Sequence, residues 1–354
     1  MSARPIWLRG GLLLVAGCAG AALLLAATSF FLRRAQDSST MRLPSRPVLA
    51  WTVETLPEPA DLRAVWTDAR GEAFAVGARG AIVRRTPSGT WSKEISATLE
   101  DLHAITAGSQ SARLFAVGNR GTVVACARDS GVWSVEATPT QENLYAVAAC
   151  PGGFCAVGAR GTVLRRSDDT GKWTRTDAGT SVDLHGIAGW VSAPATPSSA
   201  PSIGTFVVGD QGTIVVQRVP FGRSQPALAA WTKEDSHTSE DLRAASFLGY
   251  RVIVVGGQGT VLRRDVSTEE PWTKLPAPAR EALRDVRLVG ASEGKVLVAS
   301  ESNVYEQRFP EMDGWRTSLT ARGVWGIDAD DPRVVAVGDR GLVHVAALPA
   351  ASDE

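Results

Sequence analysis

Residues 154–177 read FCAVGARGTVLRRSDDTGKWTRTD, and the hexapeptide AVGARG inside this stretch decides how the rest of the chain is read. It stands also at 75–80, returns as AVGNRG (116–121) and AVGDRG (336–341), and more loosely as VVGDQG (207–212) and VVGGQG (254–259). Self-similarity at a period of roughly forty residues marks a propeller or a solenoid. Outward from each copy the same order recurs. A polar residue and Leu come first, as in Asp61-Leu62, Asp101-Leu102, Asn143-Leu144, Asp183-Leu184 and Asp241-Leu242, with Ala282-Leu283 and Gly323-Val324 as degenerate openings. An apolar run and a tryptophan follow. The tryptophans are Trp51, Trp91, Trp133, Trp173, Trp231, Trp272 and Trp315, and six of the seven stand ten residues before the next opening.

Within the first unit, LRAVWT, AFAVG, AIVRR and WSKEI are short apolar or alternating segments divided by turn residues, the pattern of four strands. Four such strands in a meander form one propeller blade. The glycine pair of the turn is expected to supply positive φ between the second and third strands. The unit at 324–347 stops after its third strand, and residues 51–55 read as the missing fourth. Pairing the chain's two ends in one blade removes a free sheet edge, whereas a solenoid needs caps. The expectation is all-β: a seven-bladed β-propeller of four-stranded blades over 51–348, closed by the N-terminal strand 51–55, with a disordered tail at 349–354.

Ahead of the propeller, residues 10–32 are 23 uncharged residues, long enough at ~1.5 Å per residue to cross a ~30 Å hydrocarbon core. We read 1–34 as a signal-anchor with one transmembrane helix and 35–50, with Pro44 and Pro47, as a linker. Val15-Ala16-Gly17-Cys18 fits a lipoprotein cleavage box, but the sequence stays apolar after Cys18. Arginines flank both ends of the apolar stretch, so the positive-inside rule chooses neither orientation. Basic and acidic residues balance at 37 each, which offers nucleic acid no net attraction. Four cysteines are too few for a disulfide framework. Cys150 and Cys155 flank a hairpin turn, where they are either a bridge formed in an oxidising compartment or two adjacent thiols.

Two sets of residues are candidates for recognition. The residues that follow each opening Leu or Val are Arg63, His103, Tyr145, His185, Arg243, Arg284 and Trp325. At the start of the innermost strands they form a ring around one mouth of the channel, all aromatic or cationic, types that dominate interface hot spots. A plug of large polar groups is the competing reading. The turn arginines Arg79, Arg120, Arg160 and Arg340 share that face with the acidic openings. They either pair with those acids as a solvated rim or present a surface for a partner's carboxylates. No catalytic, metal or cofactor set emerges. His103 and His185 stand on non-adjacent blades with no carboxylate between them, and the G-x-x-G turns join strand to strand rather than strand to helix.

Ser167-Asp168-Asp169-Thr170-Gly171-Lys172-Trp173 approaches the Asp-box, as do Asp129-Ser130-Gly131-Val132-Trp133 and Ser88-Gly89-Thr90-Trp91 more faintly. With the AVG-x-x-G turn these units resemble bacterial BNR/Asp-box propellers, most of all the photosystem II stability/assembly factor family. The sixth unit departs from the pattern, with Glu301-Ser302-Asn303 in place of the turn. The resemblance implies a non-enzymatic, monomeric scaffold, anchored in the bacterial inner membrane with its propeller in the periplasm. Such a protein binds a membrane or extracytoplasmic protein and needs no cofactor. A glycan-binding propeller, lectin-like or a degenerate sialidase, is the alternative.

Overall fold

The computed structural model describes residues 48–348 apart from 109–112, 193–201, 221–229, 269, 291–293, 309–313 and 331. The anchor read at 10–32, most of the linker and the tail at 349–354 lie outside these residues. Among the described residues no helix is long and apolar enough to cross a membrane.

Seven four-stranded antiparallel sheets are arranged as blades. Their inner strands are Leu62–Thr67, Leu102–Ala107, Leu144–Cys150, Leu184–Ser192, Leu242–Leu248, Leu283–Val289 and Val324–Asp330, which number blades 1 to 7. Each inner strand touches those of the two neighbouring blades, and blade 7 touches blade 1, so the ring is closed. The outer strand of blade 7 is Trp51–Val53, antiparallel to Val343–Ala347 with Trp51 opposite Ala346 and Val53 opposite His344. The strand read at 51–55 is therefore present, two residues shorter. The tether ends earlier than its sequence implied, because Leu49 is buried between blades 6 and 7 among Val289, Leu297 and Val304.

Burial explains the apolar runs. The second strand of blade 1, Ala73–Gly77, is buried at every residue, since both faces of a blade are covered by neighbouring blades. Seven hydrophobic clusters fill the seven seams, and each receives one tryptophan that begins or immediately precedes the outer strand of the later blade. The fixed place of the tryptophan in each unit follows from this: it closes the seam behind its own blade. At three seams the indole N–H also meets a carboxylate. Trp91 donates to Glu54 (2.7 Å), Trp173 to Glu136 (2.8 Å) and Trp272 to Glu234 (2.8 Å), each glutamate belonging to the preceding blade. An arginine completes each lock: Arg85 on Glu54, Arg166 on Glu136 and Arg264 on Glu234. Burial alone would raise the Glu54 carboxyl, but Arg85 and Trp91 outweigh it and hold the group below its ordinary 4.5. The Trp133 and Trp231 indole N–H groups are buried and have no partner among the described residues.

The recurring turn differs from expectation in one respect. Gly77 is extended, with φ of −172°, so the first glycine is not there for left-handed backbone. A Cβ on it would stand 1.9 Å from the Asp61 carbonyl oxygen, where the second strand passes the opening of its own blade. Gly80 does take positive φ, +68°, and Arg79 before it shares that region at φ 53°. Blade 4 has the longest strands: residues 190–192, 202–204 and 219–220 belong to Leu184–Ser192, Ser202–Gly209 and Thr213–Pro220. Trp190 is buried there, its ring 4.5 Å from that of Phe206. Cys150 and Cys155 are joined as a disulfide across the hairpin of blade 3, and Cys126 is free and buried.

Candidate functional site

The face that carries the channel mouth is assembled by the turns. The connection entering each blade packs on the second-to-third turn of its neighbour, and the opening acid caps that turn. Asp101 accepts the Arg79 backbone N–H (2.8 Å), Asn143 that of Arg120 (3.0 Å), Asp183 that of Arg160 (2.9 Å) and Asp61 that of Arg340 (2.8 Å). Three acids and Asn143 thus bind the arginine main chain, not the guanidinium groups, so the reading in which these arginines pair with the opening acids does not hold for their side chains. The guanidinium groups of Arg120 and Arg160 turn to Glu100 and Glu142, one residue before the openings of their own blades.

All seven ring residues line a single cavity of about 480 Å³ at the centre of the ring. They divide into two arcs. His103, Tyr145 and His185 of blades 2 to 4 touch in series: His103 meets Tyr145 edge to face at 5.8 Å between ring centres, and Tyr145 stacks on His185 at 5.2 Å. Across the mouth, Arg284 and Arg63 lie over Trp325 at 3.8 and 5.4 Å. Arg243 of blade 5 stands between the arcs, 3.2 Å from Asp241.

The sequence reading did not identify what orients these groups. In four blades the residue after the second-strand motif holds the ring side chain. Asn119 bonds His103 (2.7 Å), Asp210 bonds His185 (2.7 Å), Asp339 accepts the Trp325 indole N–H (2.8 Å) and Glu301 pairs with Arg284 (3.3 Å). In blades 1, 3 and 5 that place is Ala78, Ala159 or Gly257, and the ring residue finds an opening acid instead, as Arg63 does on Asp101 (3.4 Å). The signal was in the sequence: the turn position is polar in the blades whose ring residue needs it. Burial lowers His103, opposed by its bond to Asn119. Burial and the nearby Asp183 raise the Tyr145 phenol.

Below the mouth lies a charged trio that was also missed. Asp285 stands where the other blades have Ala or Gly, and it accepts the Val286 and Ile327 N–H groups at 2.8 and 2.9 Å. Arg287 lies 2.6 Å from Asp328, whose other oxygen accepts the Thr67 N–H at 2.8 Å. Burial pushes both aspartates up, against the pull of Arg287. The trio ties blades 6, 7 and 1 at the channel wall.

No family model and no curated protein matches this chain. Among solved structures, it is similar to one described as YCF48 bound to D1 peptide, at 15% identity and a TM-score of 0.62, covering 87% of this chain and all of the other. The WD40 repeats of RRP9 match at 11% identity and a TM-score of 0.67, with 86% and 99% covered. The WD40 propeller domain of Doa1 matches at 12% and 0.64, with 85% and 98% covered. At these identities the likeness shows the fold: the chain is a seven-bladed β-propeller.

Proposed function

We propose that this protein is a non-enzymatic scaffold, tethered to a membrane by residues 10–32, whose channel mouth holds a segment of another protein. The observation that carries the reading is the convergence of seven aromatic or cationic side chains, one per blade, on one cavity of about 480 Å³. Such groups offer large contact area and directional charge. A similar propeller is described with a peptide bound, which supports a protein ligand. Placement among the Asp-box propellers of the bacterial envelope, with the propeller outside the cytoplasm as a monomer and a role in assembling a membrane complex, belongs to the same proposal. It rests on the near-match at Ser167–Trp173 and on the uncharged stretch at 10–32. Catalysis of the sialidase kind is disfavoured because no blade carries Asp or Glu at the ring position.

The test is in-cell crosslinking of wild type against a variant carrying Arg63→Ala, Tyr145→Ala, Arg243→Ala and Trp325→Ala, with circular dichroism to establish folding. A specific protein that crosslinks to wild type and is lost from the folded variant supports the reading. Equal capture by both reduces the ring to a plug. The glycan alternative draws on the aromatic arc of His103, Tyr145 and His185, and a glycan array probed with the same pair decides it.

A further inference from the structure

We infer that a groove on blade 1, separate from the channel mouth but on the same face, is a second contact site that takes an extended protein segment carrying a large apolar residue beside an acidic one. The groove encloses about 520 Å³ between the connection entering blade 1, the turn at Arg79 and the connection leaving toward blade 2. Its outer lip is formed by Ile95 and Leu99, at 88% and 87% exposure the most exposed large apolar side chains among the described residues. Blades 2 to 4 show that the fold does not require them. Four residues after the blade tryptophan these blades carry Ala137, Asp177 and Asp235, and eight after it Gln141, Ser181 and Ser239. Two adjacent aliphatic side chains left in water at a concave rim mark an interaction surface.

Charge identifies the occupant. Arg120 and Arg160 each turn to a glutamate one residue before the opening of their own blade. Blade 1 has Ala60 in that place, and among the described residues no carboxylate lies within ion-pair distance of the Arg79 guanidinium. The other charges of the groove are engaged or turned away. Lys93 is held by Glu58 at 2.7 Å, Asp61 accepts the Arg340 backbone N–H, and the Glu94 side chain reaches toward Gly131 of blade 2. What remains is a free planar guanidinium next to an aliphatic lip, complementary to a carboxylate followed or preceded by an apolar side chain. The concavity favours a chain segment, since a bilayer is flat and would rest on the lip alone.

The test pans a phage-displayed random dodecapeptide library on the full-length protein in detergent. An enriched peptide is then resynthesised with a fluorophore, and its affinity is measured by anisotropy. The expected result is enrichment of Asp or Glu within three residues of Leu, Ile or Phe, with binding weakened at least tenfold by Arg79→Ala and by Leu99→Ser. Both changes are at exposed side chains, so folding is not at stake. Binding unchanged in the channel-mouth variant Tyr145→Ala/Trp325→Ala keeps this groove apart from the mouth. Peptides that lose affinity only in that mouth variant overturn the groove and support the proposed function. Absence of such a motif overturns the groove, as does Leu99-dependent binding to phosphatidylcholine–phosphatidylserine vesicles in place of peptide.

Discussion

Gly77 and its equivalents show how much a single hydrogen atom decides. A methyl group there meets a backbone oxygen at 1.9 Å, and neither partner is a flexible side chain. Gly77→Ala is expected to destabilise the protein by about 3 kcal/mol, read as a shift in the urea midpoint. The tryptophans allow a sharper comparison, because Trp133 and Trp173 close equivalent seams and differ in whether the indole N–H has a partner. Trp173 donates to Glu136, whereas the Trp133 N–H is buried without a partner among the described residues. Trp173→Phe should therefore cost about 1.5–3 kcal/mol more than Trp133→Phe, the worth of a hydrogen bond to a charged group. Equal losses in thermal melts refute the assignment. At this scale the sequence was legible only in part. It marked Gly77 and each tryptophan as fixed positions; Glu54, Glu136 and Glu234 also recur three residues after a tryptophan, but each meets the tryptophan of the next blade, a pairing that the repeat alone does not state.

Among elements, the outer strand is where one blade is fastened to the next. Arg85 has 2% of its side chain exposed and is held by Glu54. Glu54→Gln leaves that guanidinium buried without its counter-charge, at a cost of about 3–5 kcal/mol. The double variant Glu54→Gln/Arg85→Met should recover at least half of the loss. The same pair sets a pH dependence. Glu54 and Glu234 are depressed below 4.5 in the folded protein, so their contribution is present above 4.5 and is lost as pH falls through the folded value. Melting temperatures followed from pH 7 to 3 should fall below pH 4.5, with a shallower fall in the double variant. The strands themselves were readable, since each blade repeats the same burial and so the same apolar run. The ring residues were readable for the same reason. Their orienting partners were marked only by a polar residue at the turn position, since Asn119, Asp210, Glu301 and Asp339 answer to one neighbour each, and Asp285 broke a pattern of small residues in the least regular unit.

For the molecule as a whole, closure depends on three residue pairs between Trp51–Val53 and the last strand. A chain lacking residues 1–53 exposes the edge of Val343–Ala347 and empties part of the seam between blades 6 and 7, and is expected to aggregate. Residues 48–53 moved to follow Leu348 through a five-residue turn, copied from Thr86–Thr90, should restore a cooperative melt within a few degrees of wild type. If the transplanted chain also aggregates, the closing strand needs its N-terminal connection. The ring count was legible because a seventh unit lacking one strand and a lone strand at the other end are complementary facts.

That closing strand also decides how the protein responds to force. Any tension applied through residues 1–47 enters the fold at Leu49 and reaches Trp51–Val53 before any other strand, simply by chain order. Three paired residues and the Glu54 N–H on the Val343 carbonyl hold it, so this strand is expected to peel from blade 7 first. A pull on the N-terminus therefore reads out as an early, low-force event that precedes the main unfolding. The same load applied at Leu348 reaches the identical ladder from its other side.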